Sequence, residues 1–157
     1  MENLEKLKAQ YETLRKKFDL PNLEYLNSEF EINAIDVDKS GIFIRAILRM
    51  IIGKIALFLN YLDPVVSPNP QSYHSMVELN NLSNEDKQGM LDYYKRLSTL
   101  YHEGCAVELK SEKEIADYIK RICINWAELK KEAIKFLDKI TEAWTVEKKS
   151  EKTVYTG

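Results

Sequence analysis

Residues 111–144 read SEKEIADYIKRICINWAELKKEAIKFLDKITEAW and decide the fold of this chain. Apolar residues recur along the stretch at alternating steps of four and three; they are Ile115, Ile119, Ile122, Trp126, Leu129, Ala133, Phe136, Ile140 and Ala143. This spacing places one apolar stripe along a helix and is typical of coiled-coil packing. Ser111 and Glu114 match a capping box, which begins helices. The sequence therefore predicts a long coiled-coil-like helix from about Ser111 to Trp144.

Shorter stretches with the same periodicity precede it. They predict five further helices, at about residues 2–18, 23–30, 40–62, 72–82 and 83–108. Asp63 and Pro64 should end the third of these, because proline cannot donate a backbone hydrogen bond. We therefore predict an all-α bundle of about five or six helices, with residues 1–144 as a single helical domain. Residues 145–157 have little apolar content and predict a mobile charged tail.

Composition narrows the classes of protein that fit. The 157 residues are 45% apolar and 31% charged, and the formal net charge of −2 gives no global attraction to nucleic acid or to an anionic membrane. The opening residues lack the apolar core of a secretory signal, so we expect a cytoplasmic protein. In that compartment Cys105 and Cys123 stay reduced, and both are expected to act as small buried hydrophobes.

Residues 42–62 need a separate test for membrane insertion, because 12 of them are Leu, Ile or Phe. Each of these favours insertion by about 0.3–0.6 kcal/mol, whereas each arginine or lysine costs up to about 2.5–3.5 kcal/mol at the bilayer centre. Arg45, Arg49 and Lys54 therefore offset the apolar gain. The segment predicts a buried central helix of a soluble core, and a membrane-associated helix remains the alternative.

Catalytic and metal-binding signatures are missing from the sequence. Neither His74 nor His102 follows a glutamate at the spacing that carboxylate-bridged metal bundles use. No close cysteine or histidine pairs, phosphate-binding glycine loops or nucleophile elbows occur. We predict a non-enzymatic protein and assign no catalytic, cofactor-binding or metal-binding residues.

Charge segregation is the most informative polar feature. Residues 19–38 contain six acids and no base, and residues 39–62 contain four bases and no acid. Arg45 and Arg49 lie one turn apart on one face of the third helix. One interpretation is structural, with the arginines paired to the acidic segment or to acids of neighbouring helices. The other makes Arg45 and Arg49 a partner-binding pair for carboxylates or a phosphate.

Several stretches carry a resemblance to a known family. They are LKAQYETLRKKFDLP and YLNSEFEI within residues 7–32, RAILR at 45–49, LSNEDK at 82–87 and IKR leading to tryptophan within 119–126. With them the chain resembles a family of small uncharacterised archaeal all-helical proteins that has no assigned activity. The resemblance implies an archaeal, cytoplasmic origin and no cofactor or site residue.

These observations favour a helical protein-interaction or assembly protein that binds a protein partner or itself. The alternative is a nucleic-acid-associated accessory factor, which would use the cationic face of Arg45 and Arg49 with help from Arg15, Lys16 and Lys17. An enzyme with an unfamiliar site is the third possibility. A membrane partner is not expected.

Overall fold

The computed structural model describes the backbone of residues 1–154 and the side chains of residues 1–145. Over this part of the chain the fold is all-helical, without strands, and one 3-10 turn covers Ile32–Ala34. The six α-helices are α1 (Glu2–Phe18), α2 (Leu23–Phe30), α3 (Phe43–Val66), α4 (Tyr73–Asn81), α5 (Asn84–Val107) and α6 (Glu112–Val154). The predicted all-α class and the long C-terminal helix are confirmed.

Local sequence signals explain most of the helix ends. Asn22 begins α2, and its side chain accepts a hydrogen bond of 2.7 Å from the backbone N–H of Tyr25. Ser83 caps α5 in the same way, accepting from the backbone N–H of Asp86 at 3.0 Å. These side chains satisfy backbone donors that have no partner inside the helix.

The capping box before α6 is reciprocal, as the sequence predicts. The backbone N–H of Glu114 donates to the Ser111 hydroxyl, and the Glu114 carboxylate accepts from both the hydroxyl and the backbone N–H of Ser111. Accepting these bonds lowers the pKa of Glu114, because they favour the ionised carboxylate. The start of the longest helix is therefore fixed by two neighbouring polar residues.

Both ends of α3 differ from the prediction. The helix begins at Phe43 and not at Ser40, because Gly41 has a φ of 67° and the Ser40 hydroxyl donates to the carbonyl of Val37. It continues to Val66 and includes Pro64, so the predicted end at Asp63 was wrong. A proline in the last turn removes only one helical hydrogen bond. The burial of the next side chain, Val65, offsets that loss and keeps the last turn helical.

Contacts divide the chain into two compact units, each built from two segments. Unit 1 comprises residues 1–56 and 100–127, and unit 2 comprises residues 57–99 and 128–157. The prediction of a single domain over residues 1–144 stays a prediction. Residues 155–157 of the predicted tail lie outside the described residues, and so do the side chains from residue 146 onward.

The core of unit 1 is formed by the apolar faces of α1, α2, α3 and the first half of α6. Its fully enclosed side chains include Leu7, Tyr11, Leu26, Phe30, Ile47, Ile51, Ile55, Ile119 and Trp126. Gly104 lies against this core, where an added Cβ would meet the Tyr118 hydroxyl at 2.7 Å and Ile52 Cγ1 at 2.9 Å. Gly104 therefore allows neighbouring helices of unit 1 to approach closely at this position.

The core of unit 2 continues the α6 stripe. Leu129, Ala133, Phe136 and Ala143 are buried there, together with Met90, Tyr93 and Leu97 of α5. The Tyr93 hydroxyl donates to the carbonyl of Leu129 at 2.6 Å, and its ring lies 5.5 Å from that of Phe136. The predicted stripe of α6 is therefore buried, except that Ile140 is only half-buried.

Candidate functional site

The two arginines singled out by the sequence lie in the first two turns of α3, in unit 1. Arg49 is exposed, and its Nε donates to Glu108 Oε1 at 2.6 Å. A second guanidinium nitrogen, Nη2, lies 2.5 Å from the same oxygen. Glu108 directly follows α5. The charge of Arg49 is therefore neutralised by an acid at the end of a neighbouring helix.

Arg45 has a different environment. It is half-buried, and its Nη2 lies 3.5 Å from the carbonyl oxygen of Lys110, at the long limit for a hydrogen bond. Its Nε is buried and has no hydrogen-bond partner among the described residues. A buried donor without an acceptor is costly. The enclosed Nε is out of reach of an external group, so an anionic partner would bind the terminal guanidinium nitrogens, whose bond to Lys110 is long.

The acidic segment does not serve as partner to either arginine. Its residue Glu31 pairs instead with Lys54 at 3.2 Å, and Asp36 pairs with Lys39 at 3.1 Å. The structural interpretation therefore holds for Arg49 through an acid outside the segment. The partner-binding interpretation stays a prediction, and Arg45 is the residue whose contacts favour it.

The connection between α5 and α6 lies next to Arg45, through the contact of Arg45 with the Lys110 carbonyl. The backbone N–H of Leu109 donates to the carbonyl of Ala106 at 3.2 Å, and that of Lys110 donates to Val107 at 2.9 Å. These bonds fix the backbone of the turn. The Leu109 side chain nevertheless stands 87% exposed. A large apolar side chain is therefore held out to solvent on an ordered turn.

A second exposed apolar side chain precedes Arg45 by one turn. Ile42 is 44% exposed, and its carbonyl accepts from the backbone N–H of Arg45 at 3.0 Å. Ile42 lines a shallow hollow of about 340 Å³ with Leu14, Phe43 and Glu112. We call Ile42, Arg45, Leu109 and Lys110 the Arg45 surface. It combines two exposed apolar side chains with a cation whose donors are incompletely used.

Unit 1 also contains a larger groove between the α1–α2 connection and α6. This groove of about 460 Å³ is lined by Leu20, Pro21, Tyr25, Cys123 and Ile124 among others. Burial raises the pKa of the Cys123 thiol to about 12, so the thiol stays protonated and is a poor nucleophile. The groove therefore combines an apolar wall with the charged side chains of Asp19 and Lys120, and its thiol is unreactive.

Cys105 does not follow the expectation made for the two cysteines. It is exposed, whereas Cys123 is partly buried. The reason is its position one residue after Gly104, the residue that faces the core, so its side chain turns away by about a quarter of a helical turn.

Within the described residues no group of three or more histidine, cysteine or acidic side chains is arranged to hold a metal ion.

The remaining cations proposed for nucleic acid are engaged with acids. Arg15 and Lys16 both lie near Glu12, at 3.4 and 3.9 Å, and Lys17 lies 3.3 Å from Glu112. In the part of the chain that the structure describes, no helix is long and apolar enough to cross a membrane.

Sequence reasoning found Arg45 but missed Leu109 and Lys110. A signal for Leu109 was available, because a leucine stands between the end of one predicted helix and the cap of the next, where polar residues are usual.

No family model, curated protein or solved structure matches this chain. The resemblance to a family of archaeal proteins therefore stays a prediction.

Proposed function

We propose that this chain is a non-enzymatic helical interaction protein that docks a protein partner on the Arg45 surface. The observation that carries the proposal is the exposure of Leu109 on a hydrogen-bonded turn next to the incompletely bonded Arg45. Exposed apolar side chains beside a donor-rich arginine are the composition typical of protein interfaces. The rigid turn also lowers the entropy cost of binding, since its backbone is already ordered.

Photo-crosslinking tests this proposal. Benzoylphenylalanine is placed at position 109 in one variant and at position 124 in a matched control, because Ile124 is 81% exposed in the same unit. In native cells we expect position 109 to give a protein adduct of discrete mass that position 124 does not give. The adduct should weaken when Arg45→Met is added to the position 109 variant.

Two results would contradict the proposal. The first is the absence of any adduct from position 109, and the second is the same adducts from both positions. A position 109 adduct that nuclease removes would favour the alternative function, a nucleic-acid-associated accessory factor.

A further inference from the structure

We infer that the segment docked on the Arg45 surface is acidic and apolar, carrying Asp or Glu within a few residues of a large apolar side chain. The inference deepens the proposed function and rests on it, because it specifies the chemistry of the partner at the same surface. Its basis is the charge of Arg45, which the surface leaves unneutralised, together with the exposed apolar side chains of Leu109 and Ile42.

The unneutralised charge belongs to Arg45. Arg49 is satisfied by Glu108, whereas the contact that the structure gives Arg45 is the long bond to the carbonyl of Lys110. Lys110 adds a second cation. Its Nζ lies 4.0 Å from Glu114 Oε1, which is the longest distance that counts as an ion pair, so the pairing is weak. The Glu114 carboxylate is also engaged by the hydroxyl and backbone N–H of Ser111. Two weakly paired cations therefore flank the turn.

A planar guanidinium with free donors is best matched by a carboxylate or a phosphate. The surroundings favour the carboxylate of a protein. The exposed side chains of Leu109 and Ile42 add apolar area that an apolar side chain of a protein can cover and a phosphate backbone cannot.

The apolar requirement comes from the two exposed hydrophobic side chains. Ile42 lies one helical turn before Arg45, and Leu109 directly precedes Lys110, whose carbonyl oxygen contacts Arg45. Covering them removes apolar area from water, which favours association. The same cover would lower the local dielectric and strengthen the bond between Arg45 and the carboxylate.

Selection from a library of random twelve-residue peptides displayed on phage tests the inference. The immobilised full chain selects binders after the library has been depleted on a double variant, Arg45→Met with Leu109→Ser. Selected peptides are synthesised, labelled with fluorescein and titrated by anisotropy. The chains titrated are the wild type, Arg45→Met and Leu109→Ser. Arg15→Met and Ile124→Ser are the matched controls, since both residues are exposed in unit 1.

We expect the selected peptides to be enriched in Asp or Glu close to Leu, Ile, Phe or Trp. Their affinity should fall about tenfold or more in Arg45→Met, the usual effect of losing a hydrogen bond to a charged group. It should also fall in Leu109→Ser, stay unchanged in both controls and weaken as salt is added.

Each contrary outcome has a defined meaning. Peptides that need Leu109 but show no enrichment in acids, or that bind Arg45→Met as well as wild type, would overturn the inference and leave the proposed function standing. No enrichment above the starting library would overturn both. Stronger, Arg45-dependent binding of a labelled single-stranded oligonucleotide would overturn the inference in favour of the nucleic-acid alternative.

Discussion

The two tryptophans of α6 make the same kind of contact in opposite environments. In unit 1, Trp126 is 2% exposed, donates from its indole nitrogen to Glu29 Oε2 at 2.8 Å and packs 4.7 Å from the Phe30 ring. In unit 2 the indole nitrogen of Trp144 donates to Glu78 Oε1 at 3.1 Å, but the ring is only half-buried. The difference shows that a tryptophan can either be buried in the core itself, as Trp126 is, or lie over a buried polar group, as Trp144 lies over Glu78.

In the second contact the carboxylate is the enclosed group. Glu78 is 4% exposed, and the same oxygen lies 3.2 Å from Nε2 of His74. The ring of His74 in turn packs against that of Trp144, with 4.6 Å between the centroids and an interplanar angle of 49°. A buried carboxylate is costly unless donors surround it. Trp144 and His74 therefore stabilise unit 2 mainly by satisfying Glu78, whereas Trp126 stabilises unit 1 mainly by its buried area.

The largest expected effect comes from Trp126→Ala. We expect it to lower the free energy of unfolding by about 3–5 kcal/mol, the usual loss for a fully buried large aromatic side chain. Urea denaturation followed by circular dichroism measures it. Trp126→Phe, which keeps most of the apolar area and removes the indole N–H, should cost clearly less. A loss under about 1 kcal/mol for the alanine variant would break the comparison, because Trp126 would then not be a core residue.

Trp144→Ala should have a smaller effect, about 1–3 kcal/mol, the cost of leaving a buried polar group with an unmade hydrogen bond. The half-exposed ring has less area to lose. Trp144→Phe retains the ring beside His74 and removes the donor, so it should reproduce most of the alanine loss. If Trp144→Phe were neutral while Trp144→Ala remained costly, ring packing would dominate in both contacts, and the distinction between them would fail.

The sequence predicted the burial of Trp126 but could not predict the burial of Glu78, for a physical reason. Trp126 lies in the middle of a stripe whose period is visible in the sequence, and periodicity reports burial directly. Glu78 lies in a nine-residue helix and is buried by Trp144, which follows it by 66 residues. A glutamate that is buried by distant residues leaves no local pattern.

The same limit applies to the candidate site. The spacing of Arg45 and Arg49 placed both on one helical face, but their different partners depend on where α5 ends. The extension of α3 through Pro64 was equally hidden, because a general rule about proline was outweighed by the burial of Val65 in unit 2. Caps and stripes are local, whereas ion pairs and helix ends are decided by packing.

The smallest expected change in stability is that of Gly53→Ala. It extends the comparison from tryptophans to glycines, one in an open position and one in an enclosed position. Gly53 lies inside α3, and among the described residues a Cβ added there would meet no atom within 4 Å beyond its own stretch of helix. Alanine restricts the unfolded chain and favours helix, so we expect a gain of about 0.5–1 kcal/mol in the free energy of unfolding. Gly104→Ala is the matched variant and should destabilise, because its Cβ would lie 2.7 Å from the Tyr118 hydroxyl, which donates to the carbonyl of Leu100. Urea denaturation of both variants against wild type gives the two signs. A loss of stability in Gly53→Ala would mean that this face of α3 is covered in solution. The covering partner would be a second copy of the chain if that loss grew with protein concentration and if sedimentation at several concentrations showed that the chain associates.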